Sequence, residues 1–353
     1  MANFLSKLMK LEGSVDIEGE DPSLDCLQTP SPSVNWSFGI SGHGLPFGFS
    51  MMLYGPPKGG KSVICNAIVG QLHKDHPDAI AIKFNTELRG ALQDNKQKIK
   101  IFGVDPNRFV VYDVNQPELI YDRIEKDIAA MCQDGANIKL IIIDSLKGIA
   151  GRRAMNATTV LTQQIGDEAA TNQDGLKRIL PIIRKYKIAL VLTTHIRAEL
   201  NMQEQMRGKT VRMASAFASQ HMAEFFAYVE PNRSKAGKTT LAGEQFLDSE
   251  TVDFMNKSQA TGHKIRFRVE ESTLGPKGRT AEFTLDYNRG IINTYEEIFM
   301  LGKNLGIISK PNLQTYQYKD KTWRGLPNCL IALRDEEELA REILKDIYAK
   351  DCG

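Results

Sequence analysis

Between residues 34 and 230, short apolar runs alternate with segments in which apolar residues recur every three or four positions. Such runs predict strands buried on both faces, and the segments between them predict helices. Strands that alternate with helices favour right-handed crossovers, so we expect an α/β fold with a mostly parallel, doubly wound sheet. The predicted strands are Phe49–Tyr54, Ala79–Phe84, Phe109–Val114, Leu140–Ile143 and Ile188–Thr194, and the predicted helices are Lys61–Leu72, Leu119–Cys132 and Leu176–Tyr186.

The beginning of the chain follows another pattern. The first eleven residues carry an apolar stripe at helical spacing, and residues 12–33 are acidic and contain prolines. This predicts a short helix followed by a semi-extended linker. The stripe must be covered, either by this chain's own core or by a neighbouring subunit. It consists of Phe4, Leu5, Leu8 and Leu11.

Beyond residue 260 the apolar positions alternate. Lys264–Val269 and Ala281–Tyr287 predict an antiparallel pair appended to the sheet. The segment 232–262 stays unassigned. A small C-terminal α/β unit of helix, hairpin and helix is predicted over Glu296–Gly306, Leu313–Trp323 and Glu336–Ala349.

The 353 residues are long enough for two or three units, which we place at 1–33, 34–290 and 291–353. Hydrophobic residues make up 42% of the chain and charged residues 25%, as in ordinary globular proteins. There is no membrane-length apolar run and no secretory signal, and the five cysteines are scattered. We therefore exclude the membrane, secreted and fibrous classes and expect a cytoplasmic protein. The formal net charge is only +2, so an anionic partner must be bound by local basic patches.

A phosphate-binding loop follows the first predicted strand. The segment matches the pattern Gly-x-x-x-x-Gly-Lys-Ser, in which glycines let backbone N–H groups point at phosphate oxygens. The lysine of such a loop reaches the β- and γ-phosphates, and the serine hydroxyl ligates Mg²⁺. The alternative, a glycine-rich turn with a surface lysine, is remote in this strand–loop–helix context. The loop comprises Gly55, Pro56, Pro57, Lys58, Gly59, Gly60, Lys61 and Ser62.

Three polar residues follow other predicted strands. Asp144 ends an all-apolar strand and is placed to support Mg²⁺ from the side opposite Ser62, although an acid there can also be a helix cap. Glu87 follows the Ala79–Phe84 strand and could activate a water molecule, or it could be a surface glutamate. His195 ends a buried strand at the sheet edge where ligands bind. It could hydrogen-bond a γ-phosphate, or it could bond only to local backbone.

In this order the motifs resemble the RecA family of recombinases, and the tailed-phage UvsX-like branch in particular. The resemblance covers residues 1–5 and 34–350. It is carried by Gly44–Gly48, the phosphate loop, Glu87, Gly103–Phe109, Leu140–Ser145, Thr194–His195, Ala281–Leu285, Gly290–Ile292 and Leu301–Gly306.

The resemblance implies a DNA-dependent ATPase that uses ATP and Mg²⁺ and polymerises as a helical filament on single-stranded DNA. Such a protein pairs that strand with homologous double-stranded DNA, works with single-strand-binding and mediator proteins, and acts in the host cytoplasm if a phage encodes it. It also implies roles for residues. Lys61 and Ser62 bind phosphate and metal, Asp144 supports the metal, Glu87 activates water and His195 senses the γ-phosphate.

The resemblance places two DNA-binding loops after Ser145 and after His195. Residues 145–160 carry three basic side chains and no carboxylate, and residues 196–214 are also rich in basic side chains. Both segments read as strand-free loops that contact phosphates. Met155, Met206 and Phe217 could stack on bases. The candidate DNA contacts are Arg152, Arg153, Met155, Arg197, Arg207, Lys209, Arg212 and Phe217.

Some positions depart from the family pattern. Where relatives place basic residues that reach a neighbour's ATP, this chain has Glu270, Glu271 and Ser272, which leaves Lys277 and Arg279 as candidates for that contact. No aromatic side chain suited to stack on adenine lies in Leu92–Ile101. Two other functions stay open at this stage, a hexameric RecA-fold DNA helicase and a non-catalytic regulatory paralogue.

Overall fold

The computed structural model describes residues 24–88, 99–151, 167–198, 222–232 and 262–351, and the backbone of two short strands at 211–213 and 238–239. The strands are β1 Cys26–Leu27, β2 Leu45–Pro46, β3 Ser50–Gly55, β4 Ile80–Asn85, β5 Phe109–Asp113, β6 Ile138–Asp144, β7 Ala189–Ala198, β8 Val211–Met213, β9 Phe225–Pro231, β10 Lys238–Thr239, β11 Gly262–Ser272, β12 Thr280–Asp286, β13 Gly290–Ile292, β14 Ser309–Asn312, β15 Thr315–Tyr318 and β16 Lys321–Arg324.

The helices frame these strands. Helix α3 is π-helical over Glu118–Ile128 and continues as an α-helix over Ala129–Gln133. A single 3₁₀ turn, Leu146–Gly148, follows β6. The other helices are α1 Pro32–Ser37, α2 Lys61–Asp75, α4 Asp167–Lys185, α5 Thr294–Asn304, α6 Leu326–Asp335 and α7 Glu337–Asp351.

One large sheet forms the centre of the molecule. Its main path runs β13-β12-β11-β9-β3-β7-β6-β4-β5. The strands from β9 to β5 are mutually parallel, and β11, β12 and β13 add antiparallel strands at the other edge. The predicted α/β fold with a mostly parallel sheet and an appended antiparallel pair is therefore confirmed.

The two faces of the sheet carry separate apolar cores, because successive side chains of a strand point to opposite faces. In β3, Met51 and Leu53 pack into a core with α1 and α2, whereas Met52 packs with α3 and α4 on the other face. All three side chains are almost fully buried. This two-sided covering explains why the parallel strands appear as continuous apolar runs in the sequence.

The prediction of a semi-extended linker is wrong for its last residues, 24–33. Residues 24–33 contribute strand β1 and the start of helix α1, and Leu27, Ser31 and Ser33 are buried. The reason is capping: the Ser31 hydroxyl accepts a hydrogen bond from the backbone N–H of Val34, and a proline at the first helical position suits a helix start. The stripe on residues 4–11 lies outside the described residues.

Strand β9 was not predicted, although Phe225–Val229 is an apolar run. It follows no predicted helix, and it pairs in parallel with β3 on one side and antiparallel with β11 on the other. It therefore joins the parallel and antiparallel parts of the sheet. The alternation of strands and helices does not predict a strand of this kind, because no helix precedes it in the pattern.

The C-terminal unit contains more than the predicted helix, hairpin and helix. Strands β14, β15 and β16 form a three-stranded antiparallel sheet, and two helices follow it. Its core includes Phe299, Ile343 and Ile347, which form an apolar cluster separate from the two beneath the large sheet. Across the described ranges, no helix has the length and apolar character needed to span a bilayer.

Candidate nucleotide and nucleic-acid site

The parallel strands end at one edge of the sheet, and that edge carries the predicted chemical groups. Gly55 at the end of β3 is opposite His195 of β7, and Asn85 at the end of β4 is opposite Asp144 of β6. In open α/β sheets, ligands bind outside the carboxyl ends of the strands. The sheet therefore brings the phosphate loop, Asp144 and His195 to one place.

The phosphate loop joins β3 to α2 as predicted, and its glycines are required by space and backbone conformation. Gly60 has a φ of +102°, and a Cβ there would lie 2.7 Å from Cδ1 of Ile265. A Cβ on Gly55 would lie 2.0 Å from the carbonyl oxygen of Val229. The loop can approach β9 and curl before α2 only without side chains at these positions.

Lys61 begins α2 and is buried inside the loop. Its Nζ donates hydrogen bonds to the carbonyl oxygens of Gly55, at 3.0 Å, and Pro56, at 2.9 Å. Burial lowers the pKa of Lys61 despite the nearby carboxylates of Asp144 and Glu87. The ammonium group is thus held against the curl of the loop, where an anionic group would also be bound.

Asp144 is held by three neighbours. Its Oδ2 accepts a hydrogen bond from the Ser62 hydroxyl at 3.0 Å and lies 2.9 Å from Nζ of Lys83, and its Oδ1 accepts one from Thr193 at 2.7 Å. Burial alone would raise the pKa of Asp144, but the Lys83 charge and these hydrogen bonds outweigh it and lower the pKa. The carboxylate is therefore ionised near neutral pH.

Glu87 lies beside Ser145 and His195. Its Oε1 accepts a hydrogen bond from the Ser145 hydroxyl at 2.8 Å and lies 2.6 Å from Nε2 of His195. Burial alone would raise the pKa of Glu87, but these hydrogen bonds prevail and lower it. Glu87 is consequently a charged carboxylate within the cleft, not an isolated surface glutamate.

An open groove of about 760 Å³ continues from these groups along α2. Phe102 and Tyr287 lie in its wall, and the Tyr287 hydroxyl is 2.9 Å from Nδ1 of His263. The sequence offered no adenine-stacking aromatic within Leu92–Ile101. The structure brings aromatic rings from just beyond that segment and from the end of β12. The groove is lined by Ser62, Lys83, Glu87, Asp113, Asp144 and Asp286 on its polar part and by Phe102, Pro106, Phe109, Leu285 and Tyr287 on its apolar part.

The cleft fits a magnesium nucleotide by the chemistry of its donors. A loop without Cβ atoms, a buried lysine and the start of a helix suit phosphate oxygens. Ser62 and Asp144 supply the two protein oxygens with which Mg²⁺ is commonly bound beside a nucleotide's phosphates. Nδ1 of His195 and the hydroxyl of Thr194 are buried without a hydrogen-bond partner among the described residues. Two polar atoms at this edge of the sheet could therefore still form hydrogen bonds with a ligand.

Most predicted DNA contacts lie outside the described residues. This applies to Arg152, Arg153, Met155, Arg207, Lys209 and Phe217.

Two predicted DNA contacts can be placed, and they correct one expectation. Arg197 is exposed on β7, and it is opposite Arg212 of β8 in an antiparallel register. The prediction that residues 196–214 are strand-free is therefore wrong at both ends of that segment. The reason is that β7 continues past the sheet edge, where its free backbone groups pair with Val211–Met213.

The two residues considered for contact with a neighbour's ATP differ in their surroundings. Arg279 stacks on the ring of Trp36, with Cζ 4.4 Å from the ring centroid, and donates to the Trp36 carbonyl oxygen at 3.2 Å. Lys277 is exposed in the turn between β11 and β12. Glu270 is bonded by Tyr54 and Arg268 of its own chain. Of the two candidates, Lys277 extends into solvent and Arg279 is held within the fold.

Sequence reasoning missed Lys83, which contacts Asp144 in the cleft. Its signal is a lysine inside an otherwise apolar strand, Ile80-Ala-Ile-Lys83-Phe. A charged residue at a buried strand position requires a partner, but the sequence does not reveal which one.

Comparisons with known proteins agree with this geometry. The family model described as RecA N-terminal domain matches residues 6–222. Protein RecA of Helicobacter acinonychis is 22% identical over 325 residues, which cover 92% of this chain and 83% of that protein. Protein RecA of Herpetosiphon aurantiacus is 24% identical over 332 residues, which cover 94% of this chain and 82% of that protein.

Proposed function

The chain belongs to the RecA family, and we propose that it is an ATP-dependent DNA recombinase of the tailed-phage UvsX-like branch. In this proposal it forms helical filaments on single-stranded DNA and catalyses homologous pairing and strand exchange. The observation that carries the proposal is the cluster of Glu87, Ser145 and His195 beside the Ser62–Asp144 pair. It joins a hydrolytic carboxylate to the beginnings of both proposed DNA-binding segments.

Nucleotide binding is assigned to the loop and its neighbours. Backbone N–H groups of Lys58–Ser62 and the Lys61 ammonium group bind the phosphates of ATP, and the apolar part of the groove takes the base. Ser62 and Asp144 hold Mg²⁺, which neutralises phosphate charge when bound. Glu87 orients a water molecule and accepts its proton, since its depressed pKa keeps it ionised.

DNA binding is coupled to the nucleotide through the same carboxylate. His195 lies opposite Gly55 in the sheet and is bonded to Glu87, so a γ-phosphate at the loop is sensed by an imidazole at the start of the second DNA loop. Ser145 holds the start of the first loop against the same oxygen. A change at the phosphate therefore alters both attachments, and DNA affinity follows the nucleotide state.

The filament is assigned to the chain's other parts. The Phe4–Leu8 stripe packs on an adjacent protomer. The ATPase core extends to residue 290 and includes β1 and the start of α1 within 24–33, and 291–353 form a C-terminal domain. Lys277, rather than the Trp36-bound Arg279, is the better placed to reach a neighbour's ATP. Single-strand-binding and mediator proteins are the expected partners.

Two measurements test this function. We expect ATP turnover to rise when single-stranded DNA is added, and electron microscopy with a non-hydrolysable ATP analogue to reveal open helical filaments on that DNA. Closed rings would favour a hexameric helicase. Turnover that is indifferent to single-stranded DNA would favour a non-catalytic paralogue of the family.

A further inference from the structure

Lys83 occupies an unusual place for a lysine. It lies in β4, which has β5 and β6 as neighbours on its two sides. Ala81 packs on the α2 face of the sheet and Phe84 on the opposite face, so the alternation of side chains directs Lys83 toward α2. An apolar side chain is the usual occupant of such a position, because a buried charge must be compensated.

The compensating group is Asp144. Nζ of Lys83 is 2.9 Å from Asp144 Oδ2, and only 13% of each side chain is exposed. The same oxygen accepts the hydrogen bond from Ser62 at 3.0 Å. The lysine charge is therefore adjacent to both residues that fit Mg²⁺, and Lys83 lines the groove beside them.

Charge counting shows what this placement does. Without Lys83, the phosphate end of the described cleft would hold one cation, Lys61, against the two carboxylates Asp144 and Glu87. The groove wall adds two further carboxylates, Asp113 and Asp286. Nucleotide phosphates entering without metal would then meet an uncompensated Asp144. With Lys83 in contact, that carboxylate is neutralised before any metal arrives, and it attracts Mg²⁺ less strongly.

We propose that Lys83 is a positioning residue that neutralises Asp144 and so makes nucleotide binding less dependent on magnesium. The inference rests on the proposed nucleotide binding at the phosphate loop. Lys83 holds the Asp144 carboxylate toward Ser62 and supplies a fixed positive charge at the metal end of the cleft. The ammonium group acts through the carboxylate, and no chemical step is assigned to it.

The experiment compares nucleotide affinity with and without metal. A fluorescent ADP is titrated into the full-length protein in excess Mg²⁺ and again in EDTA, and the ratio of the two dissociation constants is recorded. Lys83→Met and Lys83→Gln remove the charge, and Lys83→Arg keeps it. Lys139→Met is the matched control, because Lys139 lies near the opposite end of the neighbouring strand β6. Thermal melting of each variant reports folding.

We expect the EDTA-to-Mg²⁺ ratio to rise by about tenfold in the two neutral variants, which corresponds to one lost charge interaction. The ratio should stay at the wild-type value in Lys83→Arg and Lys139→Met. A folded Lys83→Met protein with the wild-type ratio would overturn the inference, as would an equal rise in Lys139→Met. If both neutral variants fail to fold, Lys83 is a folding residue and the proposal falls. If the wild type binds no nucleotide even with Mg²⁺, the proposed function fails with it.

Discussion

At the scale of single residues, Glu87 is placed to act in hydrolysis. Replacing it by Gln keeps the size of the side chain and the acceptor for Ser145 but removes the base. We expect Glu87→Gln to lower DNA-stimulated ATP turnover by about 100-fold or more while nucleotide affinity changes little. Steady-state turnover and a nucleotide titration measure the two effects. Glu338→Gln, on the C-terminal helix, serves as control, and a fully active Glu87→Gln protein would contradict the assignment.

Lys61 gives a second prediction at this scale. Its ammonium group is buried against the loop carbonyls, so Lys61→Ala removes the charge that meets the phosphates. We expect nucleotide-dependent binding of single-stranded DNA to be lost, as measured by fluorescence anisotropy with and without ATP. Lys74→Ala, which replaces an exposed side chain in the last turn of the same helix, should bind as the wild type does. Unchanged filament formation by Lys61→Ala would refute the role given to the loop.

At the scale of elements, α2 packs very closely on the turn that lines the groove. A Cβ on Gly70 would lie 1.7 Å from the carbonyl oxygen of Phe102. Helix propensity alone would make Gly70→Ala stabilising. We expect the opposite sign, a loss of about 1–3 kcal/mol in the free energy of unfolding, because backbone must move to admit the methyl group.

Urea denaturation measures that loss, and Gln71→Ala, one residue further along α2, is the control. The same displacement should weaken nucleotide binding, since Phe102 also lines the groove. A Gly70→Ala protein that is more stable than the wild type would contradict this prediction, because it would show that the backbone around Phe102 moves to admit the methyl group without loss of stability.

Glu297 joins two elements and makes stability depend on pH. This buried carboxyl group on α5 accepts hydrogen bonds from the hydroxyls of Ser31 and Ser33 and from the Ser33 backbone N–H at the start of α1. Burial raises the pKa of Glu297 to about 7 despite these bonds, and the adjacent Glu296 also raises it. Because the folded-state pKa lies above the unfolded value, the stabilising contribution is complete at acidic pH and is lost as pH rises through 7.

We therefore expect the free energy of unfolding to fall by on the order of 3 kcal/mol between pH 4 and pH 8, beyond the change in Glu297→Gln, with most of the fall between pH 4.5 and pH 7. Chemical denaturation at several pH values gives both curves. Parallel curves for wild type and Glu297→Gln would show that this carboxyl group does not titrate between those limits.

The elements also show what the sequence can and cannot predict. Parallel strands covered on both faces gave continuous apolar runs, so β3, β4, β6 and β7 were found to within a few residues. Helix α1 was missed because Thr-Pro-Ser-Pro-Ser composition suggests a linker, whereas those small polar groups are satisfied by capping and by Glu297. Such compensation depends on residues more than two hundred positions away.

The candidate site also contains residues that the sequence predicts and residues that it does not. The phosphate loop, Asp144, Glu87 and His195 carry local signals, because each follows a strand, and the sheet then brings them together. The local pattern around Lys83 and Tyr287 does not reveal their partners, since their importance comes from tertiary contacts with Asp144 and with the groove. Local pattern predicts which residues end a strand, but it does not predict which side chains meet across a cleft.

At the scale of the whole molecule, the formal charge of +2 is a poor guide to DNA binding. Residues 145–160 contain three basic side chains and no acid, whereas residues 12–25 contain six carboxylates and no lysine or arginine. We expect affinity for single-stranded DNA to fall with salt according to the local basic contacts. Arg152→Ala and Arg153→Ala should each reduce the slope of log affinity against log salt by about 0.7.

Anisotropy titrations over a range of potassium chloride concentrations give that slope. Lys345→Ala, which removes one positive charge from the C-terminal helix α7, is the matched control and should leave the slope unchanged. Equal effects from all three substitutions would mean that net charge, and not these segments, governs binding.

The sharing of one oxygen by Ser145 and His195 has a consequence for timing. Both residues precede the proposed DNA-binding segments along the chain, and both contact Oε1 of Glu87. A change in the hydrogen bond between His195 and Oε1 of Glu87 therefore acts directly on the hydrogen bond between Ser145 and the same oxygen, and the reverse is also true. Under the proposed function the two segments therefore grip and release a strand in synchrony, and a protomer with only one of them engaged would be short-lived.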